Sequence, residues 1–270
     1  MTPICKSLSL NGANISYRIS GTGPFLVLIH GFAEDSRIWD NLVTELEKVH
    51  TLLIPDLPGS GKSGMIPGSP SIADFADCIH GIFVKEQIDS AILIGHSMGG
   101  YIALAFAAKY GDKLFALGLF HSSAFADDEA KIATRRKAIS VMKEKGAMVF
   151  LKTAIPGLFY DKEKSHADIE DLVEKGSQFT AEALIQYYEA MINRPDTTDT
   201  LRNLPIPLLL ILGKHDPAVP LDQGLKQTHL AAETHLHILK KSAHMGMLEE
   251  KVTAIEILLK FLHLLRHNLN

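Results

Sequence analysis

A chain of 270 residues, 46% of them hydrophobic, is long enough for one large α/β domain with a full core or for two small ones. Its 27 Lys and Arg against 31 Asp and Glu give a formal charge of −4, which leaves no basic field to hold nucleic acid or an anionic membrane. Its two cysteines, Cys5 and Cys78, are too far apart in sequence for a metal cluster or a C-x-x-C pair and read as small buried residues in a reducing compartment.

The start, Met1-Thr2-Pro3-Ile4-Cys5-Lys6, has no basic segment followed by an apolar one, and no later apolar run is long enough to span a bilayer, so a cytoplasmic location is expected. Ile4 to Leu10 and Asn14 to Ile19 read as strands joined by the hairpin signal Asn11-Gly12. Phe25 to Ile29 is apolar at successive positions, the pattern of a strand covered on both faces, and similar runs recur at Thr51–Pro55, Ala91–Gly95, Leu114–Phe120, Pro207–Leu212 and His235–Leu239. Amphipathic stretches lie between most of them: Ile38–Val49, Ile72–Gln87 and Leu221–Leu230. This alternation predicts an α/β fold with a mostly parallel sheet and helices on both faces.

From about Phe125 to Leu201 the alternation stops. Ala130–Lys145, Ala147–Thr153, Ala167–Lys175 and Thr180–Met191 are candidate helices with no convincing strand among them, and Pro156-Gly157 and Arg194-Pro195 are plausible breaks. A segment that long exceeds one crossover helix. It is read as a helical cap, 125–201, inserted into a core of 1–124 and 202–270. Met247–His267 closes the chain as a helix with Leu258, Leu259, Leu262 and Leu265 on its packing side.

Gly95-His96-Ser97-Met98-Gly99 sits between an apolar strand and the helical pattern Tyr101–Ala108, the setting of a nucleophile elbow, and makes Ser97 a candidate nucleophile. Gly95 and Gly99 remove bulk where strand and helix crowd together. The helix starting beside Ser97 aims free N–H groups at the place where negative charge would develop in acyl transfer. A serine needs a base, and His244, on the loop after the last strand, is the candidate; His229, His235, His237, His263 and His267 read as surface residues, and His96 as pointing away from the base position. Asp216, after the strand ending at Leu212, is the candidate carboxylate to orient His244. Asp222 reads instead as a helix N-cap, and Asp127 and Asp128 are weaker rivals. The N–H groups of Met98 and of Phe32, in His30-Gly31-Phe32, are candidate oxyanion donors. Gly59-Ser60-Gly61-Lys62-Ser63 imitates a phosphate loop, but the first glycine of that motif is replaced by Asp56 and no helix starts at the lysine. Asp56 and Ser63 are expected to brace a tight turn instead.

Together, His30-Gly31-Phe32, the D-x-x-G-x-G-x-S loop Asp56–Ser63, Gly95-His96-Ser97-Met98-Gly99-Gly100, Gly213-Lys214-His215-Asp216 and His244 closely resemble the α/β-hydrolase superfamily, as does the chain order Ser97, Asp216, His244. The resemblance implies an eight-stranded sheet, a cap after strand six and a Ser-His-Asp machine needing no cofactor and no metal. It leaves the substrate open, because this fold hosts esterases, amidases, C–C bond hydrolases, lyases and ligand receptors. The leading expectation is hydrolysis of a small or medium carboxylic ester through an acyl-enzyme, by a monomer or homodimer. A C–C hydrolase or lyase with the same triad and a slow-turnover ligand receptor are the alternatives. The expected pocket walls are apolar: His30, Gly31, Phe32, Met98, Phe125, Phe150, Leu158, Phe159, Val219 and Met247. Arg135, Arg136 and Lys137 are read as a solvated helix face rather than as a site for an anionic substrate.

Overall fold

In the computed structural model, which describes residues 3–267, the apolar runs become strands of a single sheet. Met1 and Thr2, part of the start read above, and the side chain of His267 lie outside the described residues. β1 (Ile4–Leu10) and β2 (Ala13–Ser20) form the expected hairpin, and both Asn11 and Gly12 take positive φ, 52° and 77°. Two successive positive φ angles match the right-handed twist of the flanking strands, and Asn-Gly adopts them at little cost. β2 also pairs antiparallel with β4 (Thr51–Pro55). β3 (Phe25–Ile29), β5 (Ala91–His96), β6 (Leu114–Phe120), β7 (Leu208–Gly213) and β8 (Thr234–Leu239) complete an eight-stranded sheet in the order β1-β2-β4-β3-β5-β6-β7-β8, parallel from β4 onward. β5 and β7 are buried at every position, as unbroken apolar runs require.

α1 (Asp40–Leu46) is shorter than the Ile38–Val49 pattern. Asp35 caps a preceding 3₁₀ turn, Ser36–Trp39, by accepting the Arg37 amide at 2.9 Å, so the chain tightens before the α-helix begins. α2 (Ile72–Glu86) starts at a capping box in which the Ser71 hydroxyl accepts the Asp74 amide and Asp74 accepts the Ser71 amide at 2.7 Å. It ends at Gln87 in the left-handed conformation. α3 (Met98–Tyr110) follows β5 after the single residue Ser97.

Between β6 and β7 run α4 (Glu129–Lys145), α5 (Ala147–Ala154), α6 (His166–Gly176) and α7 (Ala181–Ile192), helical as expected, and a short α8 (Thr198–Arg202) that the candidate helices did not include, with Pro156-Gly157 in a 3₁₀ turn after α5. α9 (Leu221–Leu225) falls short of the Leu221–Leu230 pattern because the amides of residues 226–228 bond three residues back rather than four. Asp222 lies inside its first turn, and Pro220 holds the cap position that Asp222 was expected to fill. The closing helix is two pieces, α10 (Gly246–Glu249) and α11 (Lys251–His267), broken at Glu250. At this break Glu249 accepts the Ala243 and Tyr160 amides and Glu250 accepts the Lys241 amide, so both carboxylates serve loops rather than a continuous helix. Leu258, Leu262 and Leu265 are buried, and Leu259 is partly buried against the core.

Cys78 is buried, with its thiol pushed up to about 12 by burial, but Cys5 is exposed on the edge strand β1, against expectation. Edge-strand side chains facing outward have no second layer to cover them. No helix of the described residues is long and apolar enough to cross a membrane.

The layering sets a contrast in stability. Leu93, fully buried in the middle of β5, should cost about 3 kcal/mol on replacement by alanine. Ile4, 61% exposed on β1, should cost less than about 0.5 kcal/mol. Urea denaturation of Leu93→Ala and Ile4→Ala checks both values.

Candidate active site

Five sheet strands end in residues that converge at one edge: His30 after β3, Asp56 after β4, Ser97 after β5, His121 after β6 and Asp216 beyond β7. Ser97 has φ 51° and ψ −117°, a conformation that non-glycine residues rarely occupy. Its surroundings enforce it. A Cβ at Gly95 would lie 2.1 Å from the Gly99 carbonyl oxygen, and one at Gly99 would lie 2.4 Å from the Ile29 oxygen. The Ser97 amide donates to Phe120 O at 2.9 Å, while Ser97 O accepts from the Ser122 hydroxyl at 2.7 Å and from the Gly100 amide at 2.9 Å. Met98 opens α3, where amides have no carbonyl four residues back to bond. Gly31 lies against the elbow, for a Cβ there would be 3.2 Å from Ser97 Cβ, and this places the backbone leading to Phe32 beside the serine.

His244 Nδ1 donates to Asp216 Oδ2 at 2.8 Å. Asp216 Oδ1 accepts the amides of Ala218 and Val219 at 2.8 and 2.9 Å, so the carboxylate is fixed at both oxygens. Burial alone would raise its pKa, but the charge and hydrogen bond of the His244 ring, with the His121 ring close by, hold it well below the carboxylate range. An ionised Asp216 puts the His244 proton on Nδ1 and leaves Nε2 as an acceptor. Ser97 and His244 line one cavity of about 320 Å³ whose far wall is built by residues of α4 and α7.

A second buried pair stands behind the elbow. His96 Nδ1 lies 3.0 Å from Glu34 Oε2, and His96 Nε2 lies 3.0 Å from the His244 carbonyl oxygen. Burial opposes the charge on each partner, yet their mutual attraction prevails, lowering the Glu34 pKa and raising that of His96. Glu34 also accepts the Gly31 amide at 2.7 Å. The pair thereby ties the Gly31-Phe32 loop to the His244 loop through the residue preceding Ser97. His96 does point away from the base position, but its bracing role has no signal in the sequence beyond adjacency to Ser97.

His121 was passed over in the sequence. Its Nδ1 is 3.2 Å from Asp216 Oδ2 without hydrogen-bond geometry, its φ is 49°, and burial pushes its imidazole down to about 4. His121, Asp216 and His244 have donor atoms within 4.8 Å of one another, a spacing that could hold a metal ion.

Several expected wall residues lie elsewhere. His30 is fully buried and braces loops: its Nε2 accepts the Leu57 amide at 2.9 Å and meets the Ser60 hydroxyl at 2.8 Å, while Nδ1 donates to Gly31 O. Gly31 turns its backbone toward Glu34. Phe159, Val219 and Met247 are packed into the interior, and Phe125 is half-buried with its carbonyl accepting from Arg194. None of these six lines the cavity. Met98 is also fully buried, so only its amide is available. Phe32 and Leu158 do line it. Phe32 stacks on Tyr188, with ring centroids 4.2 Å apart, and separates this cavity from a smaller one of about 90 Å³ that Phe150 lines.

The rival acids are engaged elsewhere: Asp128 caps α4 by accepting the Lys131 amide, and Asp127 pairs with Arg135 and Arg194. Arg135 is therefore not on a solvated face. Lys131, Thr134 and Arg135 have the i, i+3, i+4 spacing that shares one helix side, and all three line the cavity, Lys131 and Arg135 partly buried, whereas Arg136 and Lys137 are exposed and do not line it. In the Asp56–Ser63 loop, Asp56 accepts the amides of Ser36 and Lys62, and the Ser63 hydroxyl donates to Asp56 O, the bracing that was expected.

Residues 26–255 match the sequence model of the Alpha/beta hydrolase family. The 2-hydroxy-6-oxononadienedioate/2-hydroxy-6-oxononatrienedioate hydrolase of Burkholderia vietnamiensis is 26% identical over 262 residues, covering 92% of this chain and 90% of its own. The pimeloyl-[acyl-carrier protein] methyl ester esterase of Vibrio vulnificus is 24% identical, covering 92% of this chain and 98% of its own. Among solved structures, a thermophilic esterase from Thermogutta terrifontis, described with malate bound, superposes with a TM-score of 0.89 at 26% identity, covering 97% of this chain and 98% of that one.

The depressed pKa of His121 sets a pH dependence. A histidine kept neutral in the fold and titrating near 6.5 when unfolded contributes stability that is complete above 6.5 and is lost as the pH falls toward 4. At pH 5 the loss amounts to about 2 kcal/mol. His121→Asn keeps a residue tolerant of positive φ and removes the titration, so its stability difference between pH 7.5 and pH 5 should shrink by that amount in urea denaturation.

Proposed function

Because the chain belongs to the Alpha/beta hydrolase family, and its relatives include esterases as well as C–C bond hydrolases, we propose that it hydrolyses a small or medium carboxylic ester through an acyl-enzyme on Ser97. The observation that carries this reading is the strained serine at the start of α3 sharing a cavity with a histidine held at 2.8 Å by a buried carboxylate. In this reading residues 1–124 and 202–270 form the catalytic core, and 125–201 form the cap that closes the far side of the cavity.

The steps follow from the donors and acceptors present. His244 Nε2 takes the hydroxyl proton as Ser97 Oγ attacks the ester carbonyl carbon. The carbonyl π electrons move to oxygen, and the amides of Met98 and Phe32 donate to that oxyanion. On collapse the C–O bond to the alcohol breaks, and the alcohol leaves with the proton returned by His244. A water then repeats the sequence on the acyl-enzyme, releasing the carboxylic acid and restoring the Ser97 hydroxyl. Asp216 stabilises the imidazolium formed in each half and holds its tautomer. Glu34 and His96 position the two loops and touch no reacting atom.

C–C bond cleavage is the second reading, favoured by the 26% identity to the Burkholderia vietnamiensis hydrolase. It would use the same three side chains, so turnover of simple esters distinguishes it.

Ser97→Ala should lower kcat for p-nitrophenyl butyrate by on the order of 10⁵ to 10⁶ and abolish labelling by a fluorophosphonate probe. Asp216→Asn should lower kcat by on the order of 10⁴ while labelling persists slowly. Ester hydrolysis that survives in Ser97→Ala would overturn the assignment, and labelling of the wild type without ester turnover would favour the C–C reading.

A further inference from the structure

The wall opposite Ser97 is charged. Asp127, whose side chain is fully buried, lies between two guanidinium groups, 2.6 Å from Arg135 Nε and 3.0 Å from Arg194 Nη1, and these arginine side chains are only 14% and 5% exposed. Two cations share one anion, so the cluster carries a net positive charge away from bulk water. Arg194 is consumed by structure: it donates to Met191 O and Phe125 O and its guanidinium sits 3.8 Å from the centre of the Tyr101 ring. Arg135 is not. Its Nε and Nη2 are on Asp127, its guanidinium rests near the Tyr188 ring, and Nη1 has no hydrogen-bond partner among the described residues, while the side chain lines the cavity.

Lys131, one turn earlier on α4, lines the same cavity, and its ammonium makes no ion pair among the described residues. The one carboxylate in the wall, Glu34, is spent on His96 and the Gly31 amide. Tyr188, whose hydroxyl burial pushes up to about 12, remains a neutral donor beside Arg135. A partly buried cluster with two guanidinium groups to one carboxylate, and spare N–H capacity on Arg135, costs free energy until a further anion arrives, and a guanidinium suits a carboxylate in particular.

We propose that Arg135, aided by Lys131, forms an anion subsite, and that the substrates of this enzyme are esters bearing a free carboxylate on the arm that reaches from Ser97 across the cavity to α4. This rests on the esterase reading above and narrows it from carboxylic esters in general to half-esters of dicarboxylic acids and similar anions. Asp127 is a positioning residue: by taking Nε and Nη2 it orients Arg135 so that Nη1 is the edge left for substrate. The cavity, at about 320 Å³, has room for a short acyl chain and its terminal carboxylate together.

Two measurements test the subsite. The first compares kcat/KM for mono-p-nitrophenyl glutarate with that for p-nitrophenyl valerate, a pair of equal chain length that differs in the terminal charge. Wild type should favour the glutarate ester by about tenfold or more, and the ratio should fall about tenfold in Arg135→Met and severalfold in Lys131→Met, with part of it restored in Arg135→Lys. An Arg135 that only held α4 in place would lower both esters together and leave the ratio unchanged, which would overturn the proposal, as would a wild-type ratio at or below one. The second measurement is calorimetric titration of monomethyl glutarate into Ser97→Ala protein, with and without Arg135→Met, each checked for folding by its thermal melt. Binding that weakens about tenfold on loss of Arg135 supports the subsite. Binding that is equal in both proteins, or undetectable in both, overturns it. Because the titration needs no turnover, it decides the subsite even if neither ester is hydrolysed and the esterase reading itself fails.

Discussion

The conformation of Ser97 is the constraint on which the rest of the site depends. A residue with a side chain at φ 51° is held there only if the chain on both sides is over-determined. Here β5 is locked between β3 and β6, α3 begins at once, and the glycines at 95 and 99 permit backbone to approach backbone where a methyl group would collide. Strand burial, helix packing and glycine placement therefore all serve one turn. The same turn brings the unpaired amides of α3 to the serine, so the strain and the electrostatic advantage have a common origin.

Around that turn the buried charges are arranged in paired groups. Glu34 with His96, Asp216 with His244 and His121, and Asp127 with two arginines each keep an ion out of water among hydrogen-bond partners. Each group also joins segments remote in sequence. Glu34 and His96 couple the loops after β3 and β8 through the elbow, and Asp127 couples the start of α4 to the end of α7. The first two groups set the geometry of the proposed chemistry. The third is unlike them because its charge does not close, and this imbalance is what distinguishes the cavity wall from an ordinary apolar lining.

The helices between β6 and β7 are held to the sheet by polar contacts as well as packing. Tyr187 donates to Pro58 O at 2.7 Å, Gln186 Nε2 to Ile66 O and Gly68 O, and the His244 amide to Leu158 O. The last of these fixes the loop carrying the proposed base directly to the helical segment. Phe32, stacked on Tyr188, carries the contact between the loop after β3 and α7. The space left for a ligand is thus set by side chains from both sides, and its shape depends on how these surfaces meet rather than on either alone.

Local rules made the strands, the Asn11-Gly12 turn and the Gly95–Gly99 elbow legible in the sequence, because periodicity and turn chemistry act over a few residues. The pairing of Asp216 with His244 was legible as well, since both follow apolar strands whose ends a parallel sheet must bring together. The cavity wall was not. Apolar residues such as Phe125, Phe159, Val219 and Met247 looked like lining, yet which apolar side chain faces a cavity and which faces a packed layer is settled by the approach of another element. Glu34, His96 and His121 gave no sequence signal because their partners are brought in from other loops. Arg135, one of three consecutive basic residues, looked solvated for the same reason: helical spacing placed it beside Lys131 and Thr134, but only the packing of α4 against α7 and the presence of Asp127 decided that this side of the helix faces inward. Sequence by itself determined the strands, most of the helices and their order along the chain. Tertiary structure decided which charges are buried and which remain uncompensated, because burial and pairing are properties of surfaces in contact rather than of neighbours along the chain.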